Sequence, residues 1–374
     1  MKIAILAGEK SGDNYAGILA AKIKELRPGT FILGTGGSRM ESVSDSFVGM
    51  PCGTMGFTGV IRNLPLFYGA YRSVLKAVER ENPSLVVLID NPGFNLKIAA
   101  ALGAKYPCYY YIPPKIWAHH YGRINLMKKH IRAVIPVFPF EKDIYNGEGI
   151  ECHWFGHPAS DLLERPREGR GRQLPSMPSG ELPAIGILPG SREEEVSFLL
   201  PEFIRIAAVL AGKRNSRFLL SASESGIRKL EEKILSGNPG VKMEIMDDLY
   251  GVISSSSLIL AASGTVNLEV ALMGKPLLVF YKTTGFNYRL ARMVVKLKDV
   301  SPVNLMLGRR AVPEYIQEFP LEEIIGNILD LLDGGPLYRQ ETESFKTLSG
   351  LMGQGDVSRK VAGLLISRGE REKR

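Results

Sequence analysis

Cysteine is scarce, with three among 374 residues. Cys52, Cys108 and Cys152 are far apart and odd in number, which fits neither a disulfide framework nor zinc-ligand spacing and points to a reducing compartment. No apolar run approaches the roughly 20 residues that a membrane-spanning helix needs. The chain is therefore expected to touch a membrane at most, without crossing it. Met1 to Ala7 runs into Gly8-Glu9-Lys10-Ser11-Gly12-Asp13 and reads as a first strand and its turn, not as a cleavable leader. That turn lacks Gly-x-Gly-x-x-Gly, which argues against a dinucleotide-binding dehydrogenase, and the three glycines of Gly34-Thr35-Gly36-Gly37 read as a tight turn. His119 and His120 are adjacent and cannot both face one metal from a helix, so no metal site is read there. Internal repeats are also missing. Long Lys/Arg runs are absent as well, and the basic end from Arg368 to Arg374 is short, which argues against nucleic acid. The net charge of +8 then favours an anionic membrane surface or phosphorylated substrates.

What is present is strand–helix alternation in two halves. A chain of this length suggests two domains. Leu258 to Ala262 is an apolar run suited to a strand buried on both faces. Ser263-Gly264-Thr265 breaks it, and a helix follows from Val266. Backbone N–H groups left open at such a helix start can hold an anion. Glu269, one turn in, is placed either to accept hydrogen bonds from sugar hydroxyls or to be an ordinary surface acid. Ile185 to Leu188 repeats the pattern, with Pro189-Gly190-Ser191-Arg192 as its turn and an Arg that can pair with phosphate. Two such mouths suggest a nucleotide diphosphate site.

In the first half, Leu85 to Ile89 is a buried strand ending at Asp90. An Asp there is either a helix cap or a general base at the sheet's ligand-binding edge. Met55 to Tyr71 is apolar and aromatic despite three glycines and a proline, and reads as a buried helix pair or as a surface for acyl chains. Glu164 to Pro183, rich in Arg, Gly and Pro, reads as a linker. Expected units are residues 1–163, a linker at 164–183, a second domain at 184–340, and C-terminal helices at 341–374 that return to the first domain or exchange between subunits of a homodimer.

A set of motifs spread along nearly the whole chain carries a resemblance: Ala7-Gly8-Glu9-Lys10-Ser11-Gly12-Asp13, Met55-Gly56, Ile89 to Asn95, Trp117-Ala118, Phe138-Pro139-Phe140-Glu141, Gly156-His157-Pro158, Leu188 to Arg192, Ala262 to Thr265 with Glu269, and Asn304 with Glu314 and Gln317. In order and spacing the chain resembles the lipid A disaccharide synthases, inverting glycosyltransferases of the GT-B type. The resemblance implies an α/β fold of two Rossmann-like domains facing a cleft. It also implies transfer of a sugar from UDP-2,3-diacylglucosamine to the 6-hydroxyl of 2,3-diacylglucosamine 1-phosphate, giving a β-1′,6-linked disaccharide and UDP without a metal or other cofactor.

Asp90 would be the base. Ser191, Arg192, Ser263, Gly264, Thr265, Glu269, Asn304, Glu314 and Gln317 would bind UDP and the donor. Ser11, Gly12, Asp13, Met55, Phe57, Ile61 and Leu64 would serve the acceptor and its lipid chains. Arg289, Arg292, Lys296, Lys298, Arg309 and Arg310 would favour an anionic membrane face, giving a cytoplasmic protein peripheral to the inner membrane. Lys115-Ile116 and His119 depart from the family's pattern beside the Trp-Ala pair. The alternatives are another GT-B or UDP-N-acetylglucosamine 2-epimerase-like enzyme, against which the apolar Met55–Tyr71 stretch argues, and a non-catalytic lipid- or nucleotide-binding homologue.

Overall fold

A computed structural model describes residues 1–8, 10–50, 64–118, 120–164, 182–222, 225–285, 288–289, 299–353 and 356–372. The chain divides into two units, one of Met1–Leu162 with Gly353–Arg374 and one of Leu163–Met352.

The first unit holds seven parallel strands: β1 (Lys2–Ala7), β2 (Phe31–Gly36), β3 (Ser46–Gly49), β4 (Leu85–Ile89), β5 (Cys108–Tyr111), β6 (Ala133–Ile135) and β7 (Glu151–Cys152). Their order is β3-β2-β1-β4-β5-β6-β7. The apolar runs of β1 and β4 bury both faces, as a parallel sheet under two helix layers requires. Ala4 and Leu6 pack on one side with Val74, Val78 and Ile98, while Ile3 and Ile5 pack on the other with Leu19, Ile23, Val361 and Leu365. The second unit repeats the plan with β8 (Ala184–Leu188), β9 (Arg217–Ser221), β10 (Glu244–Met246), β11 (Leu258–Ala262), β12 (Leu277–Tyr281) and β13 (Glu314–Ile316), in the order β10-β9-β8-β11-β12-β13. Strand order therefore reverses between β1 and β4 in one sheet and between β8 and β11 in the other. In such sheets ligands bind outside the carboxyl ends of the strands at that reversal.

Two expectations change. Gly34 and Gly36 do not form a turn after β2 but lie within it, and Gly34 is there because a Cβ would stand 1.9 Å from the Ser44 Oγ. The break expected at residue 341 falls inside helix Pro336–Leu351, which belongs to the second unit. The Glu341 carboxylate, fully buried, accepts the Leu277 N–H at 2.9 Å and ties that helix to the start of β12. Only helix Val357–Arg371 joins the first unit. Asp161 anchors its start by accepting the N–H groups of Val357 at 2.9 Å and Ser358 at 2.7 Å, and its apolar face packs against helix Lys10–Leu26.

Candidate functional site

At the reversal in the first unit the chain leaves β4 through two left-handed residues, Asp90 at φ +51° and Asn91 at φ +42°. Such backbone is uncommon outside glycine, and Asn and Asp tolerate it best. The turn is locked from several sides. The Asp90 N–H donates to the Tyr111 carbonyl at 3.2 Å, and its own carbonyl accepts from Asn95 Nδ2 at 2.8 Å and Tyr110 Oη at 2.7 Å. Asn95, 1% exposed, also donates to the Ile89 carbonyl at 3.0 Å. Gly8 fits against this turn because any Cβ would lie 2.2 Å from Asn91 Nδ2. Gly12, in the first turn of helix Lys10–Leu26, approaches so closely that a Cβ there would be 3.7 Å from the Asp90 Cβ. Asp90 itself is half-buried, a side chain on a rigid support at the edge where ligands enter.

Of the residues expected to serve the acceptor, Gly12 lies against Asp90 and Ser11 shares its helical turn. Asp13 has another role. Its two oxygens accept the N–H groups of Gly37 at 2.8 Å, Arg39 at 3.1 Å and Met40 at 3.0 Å, which caps the short helix Ser38–Glu41. Leu64 opens helix Leu64–Glu81, where Leu66 and Tyr68 are each 62% exposed. Met55, Phe57 and Ile61 lie outside the described residues, as do Arg292, Lys296 and Lys298.

In the second unit, Gly190 at φ +125° turns the chain out of β8, and helix Glu193–Ala211 begins beyond Arg192. The Ser191 N–H and the Arg192 guanidinium both meet Glu195, at 3.0 Å and 2.9 Å. The Arg192 side chain is 54% exposed, so a phosphate can reach it by competing with that carboxylate. After β11, Ser263 Oγ donates to the Val300 carbonyl at 2.8 Å, and the Gly264 N–H donates to Asn267 Oδ1 at 2.9 Å. Thr265 precedes helix Val266–Leu272, on which Glu269 is 8% exposed.

Three expected donor ligands are engaged within the protein. Asn304, 1% exposed, donates to the Val312 carbonyl at 2.9 Å and to Glu314 at 2.6 Å, and accepts the Ala311 and Val312 N–H groups at 2.7 and 3.0 Å. Glu314 accepts from Val300 and Ser301 N–H groups at 2.7 and 2.9 Å, and burial raises its pKa. Gln317, at φ +64°, accepts the Thr283 N–H at 2.7 Å and donates to the Thr283 carbonyl at 3.0 Å. A polar side chain whose partners are backbone groups, or as with Asn304 and Glu314 also each other, holds loops together and has less left for a ligand.

Sequence reasoning gave no role to Asn95, Tyr110, Glu195 or Asn267, which depend on partners that spacing alone does not reveal. It also left unjoined a cluster beyond β5 and β6. There Glu141, 1% exposed, accepts from Trp117 Nε1 at 2.8 Å and the Phe138 N–H at 3.1 Å. Burial pushes its carboxyl up to about 7. His157, against the Phe138 ring, is driven down to about 3 by burial and by Lys115, and its neutral Nδ1 accepts the Ala159 N–H at 3.1 Å. Among the described residues no group of three or more His, Cys, Asp or Glu side chains could hold a metal ion.

Residues 3–341 match the family model described as Lipid-A-disaccharide synthetase. A lipid-A-disaccharide synthase of Solibacter usitatus (strain Ellin6076) is 31% identical over 371 residues, covering 97% of this chain and 93% of that protein. Among solved structures, the UDP-GlcNAc 2-epimerase of Methanocaldococcus jannaschii in complex with UDP-GlcNAc and UDP aligns with a TM-score of 0.65 at 13% identity, covering 98% of this chain and all of that one. MurG of Acinetobacter baumannii aligns with a TM-score of 0.57 at 12% identity, covering 98% of this chain and all of that one. At such identities these structures establish the two-domain GT-B fold and nothing finer. The match over most of the chain, together with the relative's identity and coverage, places the sequence itself: the chain belongs to the lipid-A-disaccharide synthetase family.

Proposed function

We propose that the protein is an inverting glycosyltransferase that condenses UDP-2,3-diacylglucosamine with 2,3-diacylglucosamine 1-phosphate to form the β-1′,6-linked disaccharide 1-phosphate and UDP. Family membership supports the reaction. The observation that carries the mechanism is Asp90, a carboxylate at the carboxyl end of a central strand on a turn fixed by Asn95 and Tyr110. Asp90 takes the proton of the acceptor 6-hydroxyl as that oxygen attacks the donor C1. The C1–O bond to UDP breaks on the opposite face, and the electron pair leaves with the diphosphate. Arg192 and the adjoining helix start stabilise the growing negative charge, with no metal required. The epimerase-like reading rests on fold likeness alone and is not favoured by the sequence family.

The acceptor's lipid chains fit a peripheral site on an anionic membrane. No helix among the described residues is long and apolar enough to cross one. Exposed Leu66 and Tyr68 belong to the apolar Met55–Tyr71 stretch, and Arg72 lies 5.9 Å from the Tyr68 ring. Flotation with anionic and neutral vesicles at low salt tests this. Binding to anionic vesicles that weakens with salt is expected, and its absence would rule the association out. The reaction is tested by disaccharide formation in Asp90→Asn beside wild type, where UDP binding should survive and turnover should not.

A further inference from the structure

Three motifs singled out in the sequence have no part in the chemistry above: Trp117-Ala118, Phe138 to Glu141, and Gly156-His157-Pro158. In the first unit they converge. The Trp117 ring lies 4.8 Å from Phe140 and 5.9 Å from Phe138, crossing them at 80° and 86°. Phe138 stacks near Phe140 at 5.6 Å and meets His157 at 6.4 Å. His157 meets Tyr15 edge-on at 6.1 Å. Tyr15 lies one turn beyond Gly12, the residue that approaches Asp90. An aromatic layer thus runs from Tyr15, one helical turn from the glycine beside the proposed base, to Trp117.

The segment carrying Trp117 is held firmly. The Ile112 N–H donates to the Ile135 carbonyl at 3.0 Å, Tyr145 Oη donates to the Pro114 carbonyl at 2.5 Å, and Glu141 takes the indole N–H. A carboxylic acid with almost no exposure is an expensive way to fill volume, since an apolar residue would pack there without desolvating a charge. What the acid adds is direction, because it fixes one edge of the indole. Trp117 nevertheless stays partly exposed, in the segment that follows the carboxyl end of β5, the end at which open α/β sheets take ligands. Aromatic faces carry partial negative charge and suit the positively polarised C–H groups on one face of a pyranose. Lys115, exposed on the same segment with Nζ 5.2 Å from the Phe138 ring, adds a cation beside it.

We propose that Trp117 is the stacking platform for the acceptor's sugar ring, that Glu141 is the positioning residue that orients it, and that Lys115 favours a sugar carrying phosphate. This rests on the assignment of the acceptor to the first unit. The acceptor is preferred to the donor because the layer lies in the same unit as the proposed base and ends one helical turn from the glycine beside it.

The test uses the full chain and short-chain 2,3-diacylglucosamine 1-phosphate in mixed micelles. Trp117→Ala should raise the acceptor KM about tenfold, the size of a lost aromatic contact, and leave the donor KM within about twofold. Trp117→Phe should recover part of the loss. Glu141→Gln should raise the acceptor KM by a smaller factor with kcat little changed, a split that a general loss of packing would not give.

The chain has two tryptophans, so in a Trp154→Phe background the emission reports Trp117 alone. It should change saturably with the acceptor and not with UDP. A folded Trp117→Ala protein with unchanged acceptor KM, or an emission that follows UDP and ignores the acceptor, overturns the proposal. Should wild type form no disaccharide, the reaction assigned above falls separately. Saturable emission change with the acceptor would still support the platform, and its absence would end it.

Discussion

The two sheets reverse strand order at equivalent places, yet the turns at the reversals differ. After β4 the backbone passes through two left-handed residues in succession, a conformation that costs on the order of 1 kcal/mol for each non-glycine residue. Asn95 and Tyr110 hold it there. After β11 the chain is relaxed, with Thr265 at φ −57° and Asn267 closing the turn through Gly264 and Ala262. The first turn presents a carboxylate. The second adjoins a β8 turn that presents a guanidinium and a helix start. On the proposed reading, one topology supplies a proton acceptor in one unit and a stabiliser of negative charge in the other.

The comparison is broken most severely at Asp90. Asp90→Asn keeps a residue that tolerates the left-handed turn and removes the base, so kcat should fall roughly 10²- to 10⁴-fold while UDP binding, read by calorimetry, stays near wild type. A fall in UDP affinity instead would mean that the first turn serves the donor. Arg192→Ala should lower kcat/KM for the donor on the order of 10²-fold and weaken UDP binding, leaving the acceptor KM little changed. An effect on the acceptor alone would reverse the assignment of the two units.

Asn304→Ala separates scaffold from site in the second unit. It strips the Ala311 and Val312 N–H groups and Glu314 of a partner and should destabilise by about 2–4 kcal/mol in denaturant melts. The protein that remains folded should bind UDP almost normally. A specific loss of UDP binding without a stability change would restore Asn304 as a ligand.

The smallest effect is on pH dependence in the aromatic cluster. Glu141 is raised to about 7, so the native state holds its proton where the unfolded chain has lost it. That stability contribution is complete below the ordinary carboxylate pKa of about 4.5 and is lost as pH rises through about 7. His157, lowered to about 3, acts oppositely, and its contribution is lost as pH falls from 6.5 toward 3. Glu141→Gln removes only the first slope. Its stability relative to wild type should therefore climb between pH 4.5 and 7 and then level off. A flat difference across that range would mean that Glu141 titrates as it does in the unfolded chain.

Much of this is legible in the sequence because apolar runs such as Leu85–Ile89 and Leu258–Ala262 leave little choice but a doubly covered strand. A charged residue at the end of such a run, Asp90 or Arg192, lands at the sheet's edge for the same reason. Polar residues further from the strands are harder to read. Asp13, Asn304, Glu314 and Gln317 carry the chemistry of ligand-binding groups, but the partners they meet are backbone N–H and carbonyl groups and, for Asn304 and Glu314, each other, and spacing cannot tell those from a diphosphate. Helix Pro336–Leu351 shows an amphipathic face without showing which sheet it covers, and the buried Glu341 that decides the matter finds its partner 64 positions away. Glu141 and Trp117 are likewise separated by 24 positions, a pairing that only the fold brings about.

The most direct test is disaccharide formation from UDP-2,3-diacylglucosamine and 2,3-diacylglucosamine 1-phosphate in the presence of EDTA, with wild type and Asp90→Ala side by side. The account predicts a β-linked disaccharide 1-phosphate and one UDP per linkage from wild type, and UDP binding without product from the variant. Failure of wild type to form the disaccharide with both substrates saturating, or undiminished turnover by the variant, would contradict it.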